Sequence, residues 1–207
     1  MKRRLNFSFS DVVAYVSLVL VLLEGIIVVV PWIVFSLCPE LPFRPILSGE
    51  GLRWLFGTFV QNVCTPYLVW MLMLGISFGV LWNSRLLTLV TGFRNAPQHD
   101  RLALYVVLFE IVVIGLAVVL LAFVPHAVLL SAIGTILPSS FSASVVPIAA
   151  WGIFVVAFTY GYATGVFNSV GRVLRSMSFG LYKTAPILIL YIIATELYHS
   201  LVWVLGM

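Results

Sequence analysis

The chain contains few charged residues and few cysteines, and both shortages narrow the range of functions. Asp, Glu, Lys and Arg make up 9% of its 207 residues, well below the share that the surface of a soluble domain carries. Its two cysteines, Cys38 and Cys64, form no CxxC motif, which argues against redox catalysis. Both cysteines are predicted to lie on the outer side of a membrane, where an oxidising compartment permits a disulfide. The sequence is compatible with one disulfide between them and with two free thiols.

The motifs of common enzyme chemistries are also missing. The sequence has no Walker-type loop, no dinucleotide fingerprint, no His/Cys/Asp cluster with metal-ligand spacing and no nucleophile elbow. The net charge of +4 arises from basic residues in short connections between apolar runs, so it does not indicate a nucleic-acid partner. We expect neither an enzyme nor a bound cofactor or metal. A membrane-embedded enzyme is the least favoured alternative.

Apolar residues are what the chain has in abundance. They account for 62% of the sequence, and the mean hydropathy is +1.16, too much to bury in one soluble core of this size. Apolar runs of about 20 residues, enough to cross ~30 Å of hydrocarbon as helix, recur along the chain. The sequence predicts an all-α, polytopic membrane helical bundle in contact with a lipid bilayer. Five transmembrane helices are expected at about residues 12–35, 66–90, 102–124, 146–166 and 185–205.

The basic residues predict the orientation of these spans. The first apolar run is too long for the core of a signal peptide, so we read it as a retained helix. Cytoplasmic loops of membrane proteins carry an excess of Lys and Arg. Nine of the eleven basic residues fall on one side, namely Lys2, Arg3, Arg4, Arg85, Arg94, Arg101, Arg172, Arg175 and Lys183, against Arg44 and Arg53 on the other. We expect a bacterial inner membrane protein with a cytoplasmic N-terminus and an outer C-terminus.

Two outer segments are too short to cross a membrane. The first becomes amphipathic from Leu52 to Val63, with a helix start near Ser48 and a stop or kink at Pro66. The second, residues 125–138, is apolar and bounded by prolines. Apolar stretches of ~10–14 residues suit re-entrant or interfacial half-helices better than spans. The sequence is compatible with both placements of these segments, within the membrane and on its surface.

The two halves of the chain resemble each other weakly. Residues 12–91 align with residues 102–169, which pairs Glu24 with Glu110 and leaves 185–205 as an extra helix. A parallel repeat of this kind occurs in some transporters, with sites between the repeats. Chance similarity among runs of Val, Leu and Ile explains the alignment equally well. In either case we expect residues 1–207 to form a single transmembrane domain.

Three glutamates lie inside the predicted spans. At ~1.5 Å per residue, Glu24 and Glu196 lie roughly 18 Å, and Glu110 roughly 12 Å, from the cytoplasmic ends of their helices. Ionisable groups at such depth mark a proton or ion path by default. His199 follows Glu196 by three residues, on the same helix face, where the two could relay protons. The alternative is that these groups are protonated or hydrogen-bonded and tie helices together.

Polar residues beside helix ends are candidates for a substrate path. Four serines fall within one short run, Ser139, Ser140, Ser142 and Ser144. Hydroxyl groups beside a helix end can form hydrogen bonds to unpaired backbone groups or coordinate a polar solute. A helix cap and turn before the fourth span is the simpler reading. Asn62 and Thr65 hold the comparable place in the first half.

Several stretches resemble the aminobenzoyl-glutamate transporter (AbgT) family. They are LSGEGLRWLF at residues 47–56, continuing to Thr65 and Pro66, LPSSFSASVVP at 137–147, TYG at 159–161 and the closing region 188–201. The resemblance implies a homodimeric secondary carrier that moves p-aminobenzoyl-glutamate or related organic anions with proton or ion coupling. Family members are more than twice as long and carry two re-entrant hairpins, so this chain would be a shortened relative. No binding residue of the family is carried over.

Two functions of different classes follow. In the first, the chain is a small secondary transporter, with the glutamates carrying the coupling proton and the polar outer segments touching the solute. In the second, it is a non-transporting membrane scaffold or subunit that oligomerises through its helices. The glutamates would then serve only to hold the helices together.

Overall fold

The computed structural model of the protein describes residues 9–38, 40, 42–92, 97–123 and 140–206. Across these ranges the chain forms α-helices joined by turns, without a β-strand. The helices are α1 (Phe9–Leu37), α2 (Gly49–Val63), α3 (Pro66–Asn83), α4 (Leu86–Gly92), α5 (Gln98–Phe123), α6 (Ser140–Ala163) and α7 (Val170–Leu205). The predicted all-α class is confirmed.

Five of these helices are long and apolar enough to cross a membrane. They are Phe9–Leu37, Pro66–Asn83, Gln98–Leu121, Ala143–Ala163 and Val170–Leu205. Each is at least 18 residues long and predominantly apolar, close to the ~20 residues that a membrane-spanning helix needs. The protein is therefore an integral membrane protein with five candidate spans, as the hydropathy of the sequence predicts.

The chain divides into two compact units. Unit 1 comprises Met1–Val69 and Ala185–Met207, and unit 2 comprises Trp70–Thr184. The divisions fall within α3 and within α7. The single domain and the internal repeat expected from the sequence stay predictions.

Within unit 1, a short segment leads into α2 and fixes where that helix begins. Ser48 is the N-cap, and its side-chain oxygen accepts a 3.0 Å hydrogen bond from the amide of Gly51. A side chain at Gly51 would lie 2.6 Å from the Cα of buried Ile46, so the tight approach requires glycine here. The helix matches the predicted amphipathic half-helix and, with 15 residues, is too short to count among the spans.

The same segment is attached to the end of α7. The amide of Arg44 donates to the carbonyl of Val204 at 3.1 Å. The Arg44 guanidinium lies 5.8 Å from the ring centre of Trp203, which stacks on Trp54 of α2 at 4.8 Å. These aromatic and cation–π contacts join α2 to α7.

Unit 2 is organised around α6. Helix α5 packs along α6, and α4 contacts it as well. One buried cluster draws residues from all three helices, namely Leu86, Leu89, Ala103, Val107, Val156 and Tyr160. Ser77 of α3 adds a buried 2.6 Å hydrogen bond to the carbonyl of Ala150 in α6.

Glycines allow α3 and the first half of α7 to approach at backbone distance. A Cβ at Gly79 would lie 2.5 Å from the amide nitrogen of Gly180, and one at Gly180 would lie 2.7 Å from the Cα of Gly79. Gly75 and Gly79 form a GxxxG pattern, which lets membrane helices pack closely. The close contact of these two helices therefore depends on the absence of side chains.

The second span is shorter than the predicted 66–90. Helix α3 ends at Asn83, and α4 begins separately at Leu86. Between them Arg85 has a φ of 64°, the left-handed region that interrupts a helix. The hydroxyl of buried Ser84 accepts a 3.3 Å hydrogen bond from the amide of Leu86 and so supports the turn. The polar residues Asn83, Ser84 and Arg85 mark the break, but the apolar run that resumes at Leu86 made the predicted span too long.

The fifth span is longer than the predicted 185–205. Helix α7 begins at Val170, so Arg172, Arg175 and Lys183 lie on a helix, where we had predicted a loop. Arg and Lys are good helix formers, and charge marks the edge of the hydrocarbon rather than the end of a helix. At 1.5 Å per residue, 36 residues extend about 54 Å, well beyond the hydrocarbon thickness.

The fourth span begins earlier than predicted. Helix α6 starts at Ser140 rather than near residue 146, and Pro147 lies inside it. Prolines also lie inside α1 and α7, at Pro31 and Pro186. Membrane helices accommodate internal proline because neighbouring groups satisfy the freed backbone. The predicted apolar half-helix at 125–138 lies outside the described residues.

Candidate functional site: a buried carboxyl cluster

Glu24 is held by a side chain from another span of unit 1. It lies in α1, and its Oε1 accepts a 2.6 Å hydrogen bond from the hydroxyl of Ser200 in α7. Ser200 is fully buried. The contact joins the first and last spans through a neutral donor and a carboxyl group.

Glu196 lies on the same face of α7, one turn before Ser200. Its side chain is buried, and Oε2 accepts a 3.5 Å hydrogen bond from the amide of Asn62. Asn62 is itself buried at the end of α2. Residues four apart share a helix face, so Glu196 and Ser200 present two polar groups from adjacent turns. The amphipathic half-helix thereby reaches a carboxyl of the last span.

Two other titratable groups of this unit lie within electrostatic range of Glu196. Glu196 interacts in this way with both Glu24 and His199. The Nδ1 of His199 lies 2.8 Å from the carbonyl of Thr195, which can only accept a hydrogen bond, so this nitrogen carries a hydrogen. The ring of His199 meets that of Tyr198 edge-on. His199 is thus oriented by its own helix, and Nε2 of the neutral ring remains an acceptor.

Thr65 and Tyr191 form a second polar contact in unit 1. Their hydroxyl groups are hydrogen-bonded to each other, and the Tyr191 hydroxyl also lies 3.3 Å from the carbonyl of Val63. Thr65 stands in the two-residue gap between α2 and α3. The contact supplies a partner for backbone exposed by the helix break, as a membrane requires.

Glu110 occupies a comparable position in unit 2. It lies in α5, and its Oε1 accepts a 3.1 Å hydrogen bond from the hydroxyl of Thr159 in α6. Both residues are half-buried. The third glutamate of the spans therefore joins a different pair of helices from the first two.

One property is common to the three glutamates. Each has one oxygen bonded to a neutral side chain, while the other is buried without a hydrogen-bond partner among the described residues, at Glu24 Oε2, Glu110 Oε2 and Glu196 Oε1. Salt bridges to a Lys or Arg side chain are likewise absent from these three groups in the described part of the chain. A buried carboxylate in this state is costly.

The serine run is only partly visible. Ser139 lies outside the described residues, and Ser140 and Ser142 lie in the first turn of α6. Ser144 is half-buried in the second turn of α6. The described members of the run therefore belong to α6 itself, whereas the simpler reading of the sequence placed them in a cap and turn before the helix. Their part in a substrate path stays a prediction.

Sequence reasoning missed the hydroxyl partners of the glutamates. Ser200 was within reach of the same rule that selected His199, because it follows Glu196 by four residues. Thr159 and Tyr191 carry no comparable signal, since each meets its partner only through the packing of separate helices. Both cysteines, Cys38 and Cys64, are exposed free thiols. Across the described ranges, no three His, Cys, Asp or Glu side chains converge as metal ligands would.

Comparisons with known proteins add no family to this description. No family model matches the chain, and neither the curated proteins nor the solved structures contain a match. The likeness to aminobenzoyl-glutamate transporters rests on the sequence motifs alone.

Proposed function

We propose that the protein is a small secondary transporter of the AbgT type, which moves aminobenzoyl-glutamate-like organic anions with proton or ion coupling. It would act as a homodimer in a bacterial inner membrane, with the N-terminus in the cytoplasm. The observation that carries the proposal is the pair of carboxyl groups, Glu24 and Glu196, on two spans of one unit, each bound only by a neutral donor.

Neutral donors suit a group that must change its protonation state. A fixed cation beside a carboxyl group stabilises the ionised form and opposes protonation. The hydroxyl of Ser200 and the amide of Asn62 can donate to a carboxylate, and to the carbonyl oxygen of the protonated acid. Both charge states of Glu24 and Glu196 therefore keep their hydrogen bond, which lowers the cost of proton exchange.

The proximity of the two carboxyl groups supports coupling between them. Two carboxylates that interact in a poorly solvated place repel each other, and a proton on either one relieves the repulsion. His199, within range of Glu196, offers a neutral acceptor for a proton in transit. Under this proposal the pair exchanges one proton for each transport cycle.

The solute would approach from the polar groups beside the carboxyl pair. Asn62 contacts Glu196 directly, and Thr65 follows it after the end of α2. We propose that these two residues contact the substrate. Ser139, Ser140, Ser142 and Ser144 stay sequence-based candidates for a substrate path. An anionic solute that displaced the Asn62 amide would remove a donor from Glu196 and place a negative charge beside it. Both changes favour the protonated carboxyl group, which would couple solute binding to proton uptake.

A membrane scaffold or subunit is the second candidate function. The exposure of α1 and α5 favours this function, since only 6% of the residues in the apolar stretch of each helix are buried. Faces this open in a membrane protein contact either lipid or the helices of a partner. In such a subunit the carboxyl contacts would hold helices together without exchanging protons.

Uptake by proteoliposomes that contain only this chain separates the two candidates. Labelled p-aminobenzoyl-glutamate would be offered with and without a pH gradient, to the wild type and to Glu24→Gln and Glu196→Gln. Glutamine keeps a side-chain acceptor for Ser200 or Asn62 but carries no exchangeable acid proton. Glu50→Gln is the matched control, because Glu50 is exposed in the first turn of α2.

The transporter account predicts gradient-driven uptake by the wild type and the Glu50 variant, and its loss in the other two. The scaffold account predicts that none of the four proteins transports. Under that account Glu24→Gln and Glu196→Gln would change only the thermal stability or the oligomer size. Uptake that survives both substitutions would contradict the assigned role of the carboxyl pair.

A further inference from the structure

Two neighbouring cavities open between α3 and the first half of α7 in unit 2. One, of about 400 Å³, is lined by Asn83, Arg172, Arg175, Ser176 and Phe179. The other, of about 350 Å³, is lined by Phe78, Trp82, Phe179 and Lys183. They share Phe179, so together they form one groove, with two arginines at one end and aromatic rings beside Lys183 at the other.

The basic end presents two guanidinium groups one turn apart on an exposed helix face. Arg172 donates from Nη1 to the carbonyl of Val166 at 2.9 Å, and Arg175 donates from Nε to the carbonyl of Gly171 at 3.3 Å. Each contact orients its side chain and uses only one of the five N–H donors of arginine. The remaining donors form a fork suited to phosphate oxygens.

Neither arginine is neutralised by a neighbouring acid. No Asp or Glu lines either cavity, and within the described residues neither Arg172 nor Arg175 forms an ion pair. Lys183 is also without a carboxylate partner in the described part of the chain, and its Nζ lies 5.6 Å from the centre of the Phe179 ring. The groove therefore concentrates three positive charges with no compensating negative charge.

The aromatic end continues along the spans. Phe78 and Trp82 lie one turn apart on α3, with ring centres 5.7 Å apart. Arg175, Phe179 and Lys183 follow at four-residue intervals on α7, a stripe about 12 Å long on one helix face. Rings of this kind line membrane proteins where hydrocarbon meets the headgroups. An apolar chain can lie along them while a polar head remains at the arginines.

We propose that this groove binds an anionic phospholipid. Its phosphate would be held by Arg172 and Arg175, and its glycerol and acyl chains would lie along Phe179, Trp82 and Phe78. A basic pocket between membrane helices is the environment in which anionic headgroups bind specifically. A choline or ethanolamine headgroup would place its ammonium among cations with no acid to receive it. The groove therefore selects phosphatidylglycerol-like lipids over zwitterionic ones.

Lipid retention measured by native mass spectrometry tests this assignment. The whole chain would be taken from nanodiscs that contain equal amounts of phosphatidylglycerol and phosphatidylcholine. Charge near a membrane surface contributes about a fivefold effect per arginine, so the double change Arg172→Gln with Arg175→Gln should weaken phosphatidylglycerol retention about 30-fold. The control is Arg53→Gln, because Arg53 donates from Nε to the carbonyl four residues before it as Arg175 does, on exposed α2. Its retention should not change.

Two further measurements keep the assignment testable. If the double variant does not fold, Lys183→Gln and Trp82→Leu replace it, and each should reduce phosphatidylglycerol retention. Glycerol 3-phosphate added in solution should not displace the lipid at equal concentration, because it lacks the acyl chains. Equal retention of both lipids, retention that the variants leave unchanged, or displacement by the free phosphoester would each overturn the proposal.

Discussion

Ser200 of α7 donates a 2.6 Å hydrogen bond to Glu24 of α1. Both residues lie within spans, and one turn away on the same face of α7 Glu196 accepts from Asn62. One face of α7 therefore contacts the carboxyl group of Glu24 through Ser200 and carries the carboxyl group of Glu196. This relationship makes α7 the element on which the proposed proton exchange depends, and it defines the first prediction.

Ser200→Ala should destabilise the protein by about 1–3 kcal/mol. The change leaves Glu24 with both oxygens lacking a side-chain donor, and a buried polar group without a partner costs about that much. Thermal unfolding in detergent measures the effect. Ser178→Ala, on an exposed face of the same helix, is the control and should have no effect. Equal melting temperatures for the two variants would show that the Ser200 hydroxyl does not support Glu24.

Asn62→Asp should make the free energy of unfolding fall with rising pH relative to the wild type. The substitution places a second carboxyl group at the position from which Asn62 now donates to Glu196. At high pH two carboxylates would repel each other, whereas at low pH one of them carries a proton and can donate to the other. The variant should therefore lose stability relative to the wild type as pH rises from 5 to 8.

Melting temperatures at both pH values measure this difference. Asn168→Asp serves as the control, since Asn168 is exposed in the turn between α6 and α7. A pH response shared by the two variants would mean that Glu196 is not the partner that matters.

Thr159→Val should weaken the contact between α5 and α6. Valine has nearly the shape of threonine but cannot donate to Glu110, so we expect a loss of about 1–2 kcal/mol. Thr58→Val is the matched change, because that hydroxyl donates only to a carbonyl of its own helix. Thermal unfolding should separate the two variants. If Thr58→Val proves the more damaging, the Glu110 contact has little energetic importance.

Gly79→Ala should be more destabilising than alanine at an open glycine. The new methyl group would meet the backbone of Gly180, which cannot move aside as a flexible side chain could. Overpacking of this kind costs about 1–3 kcal/mol. At Gly115 of α5 nothing lies within 4 Å of the added carbon, so alanine there should be neutral or stabilising. Thermal unfolding in detergent should show a loss of stability for Gly79→Ala and none for Gly115→Ala.

The spans were predictable because hydrocarbon imposes length and composition on a helix. Apolar runs located all five, and the Ser48 cap located the start of α2. Hydropathy averaged over a span did not locate the break at Ser84 and Arg85, since the gap is two residues long and apolar sequence lies on both sides of it. It also placed the start of α7 too late, because Arg172 and Arg175 are charged yet helical.

The candidate site was predictable in its acids and not in their partners. An acidic residue inside an apolar run is visible in one dimension, so Glu24, Glu110 and Glu196 were identified from the sequence. Ser200, Thr159 and Tyr191 are ordinary helix residues until packing brings a partner to them. Hydrogen bonds between helices far apart in sequence depend on rotation and register, which no local pattern specifies.

Proton movement driven by a substrate gradient tests the central claim most directly. Proteoliposomes that enclose a pH-sensitive dye, with no initial pH difference, would receive an inward gradient of p-aminobenzoyl-glutamate. The account predicts a change of internal pH with the wild type and with Glu50→Gln, and none with Glu24→Gln or Glu196→Gln. Substrate entry without proton movement, or proton movement that both carboxyl variants retain, would contradict it.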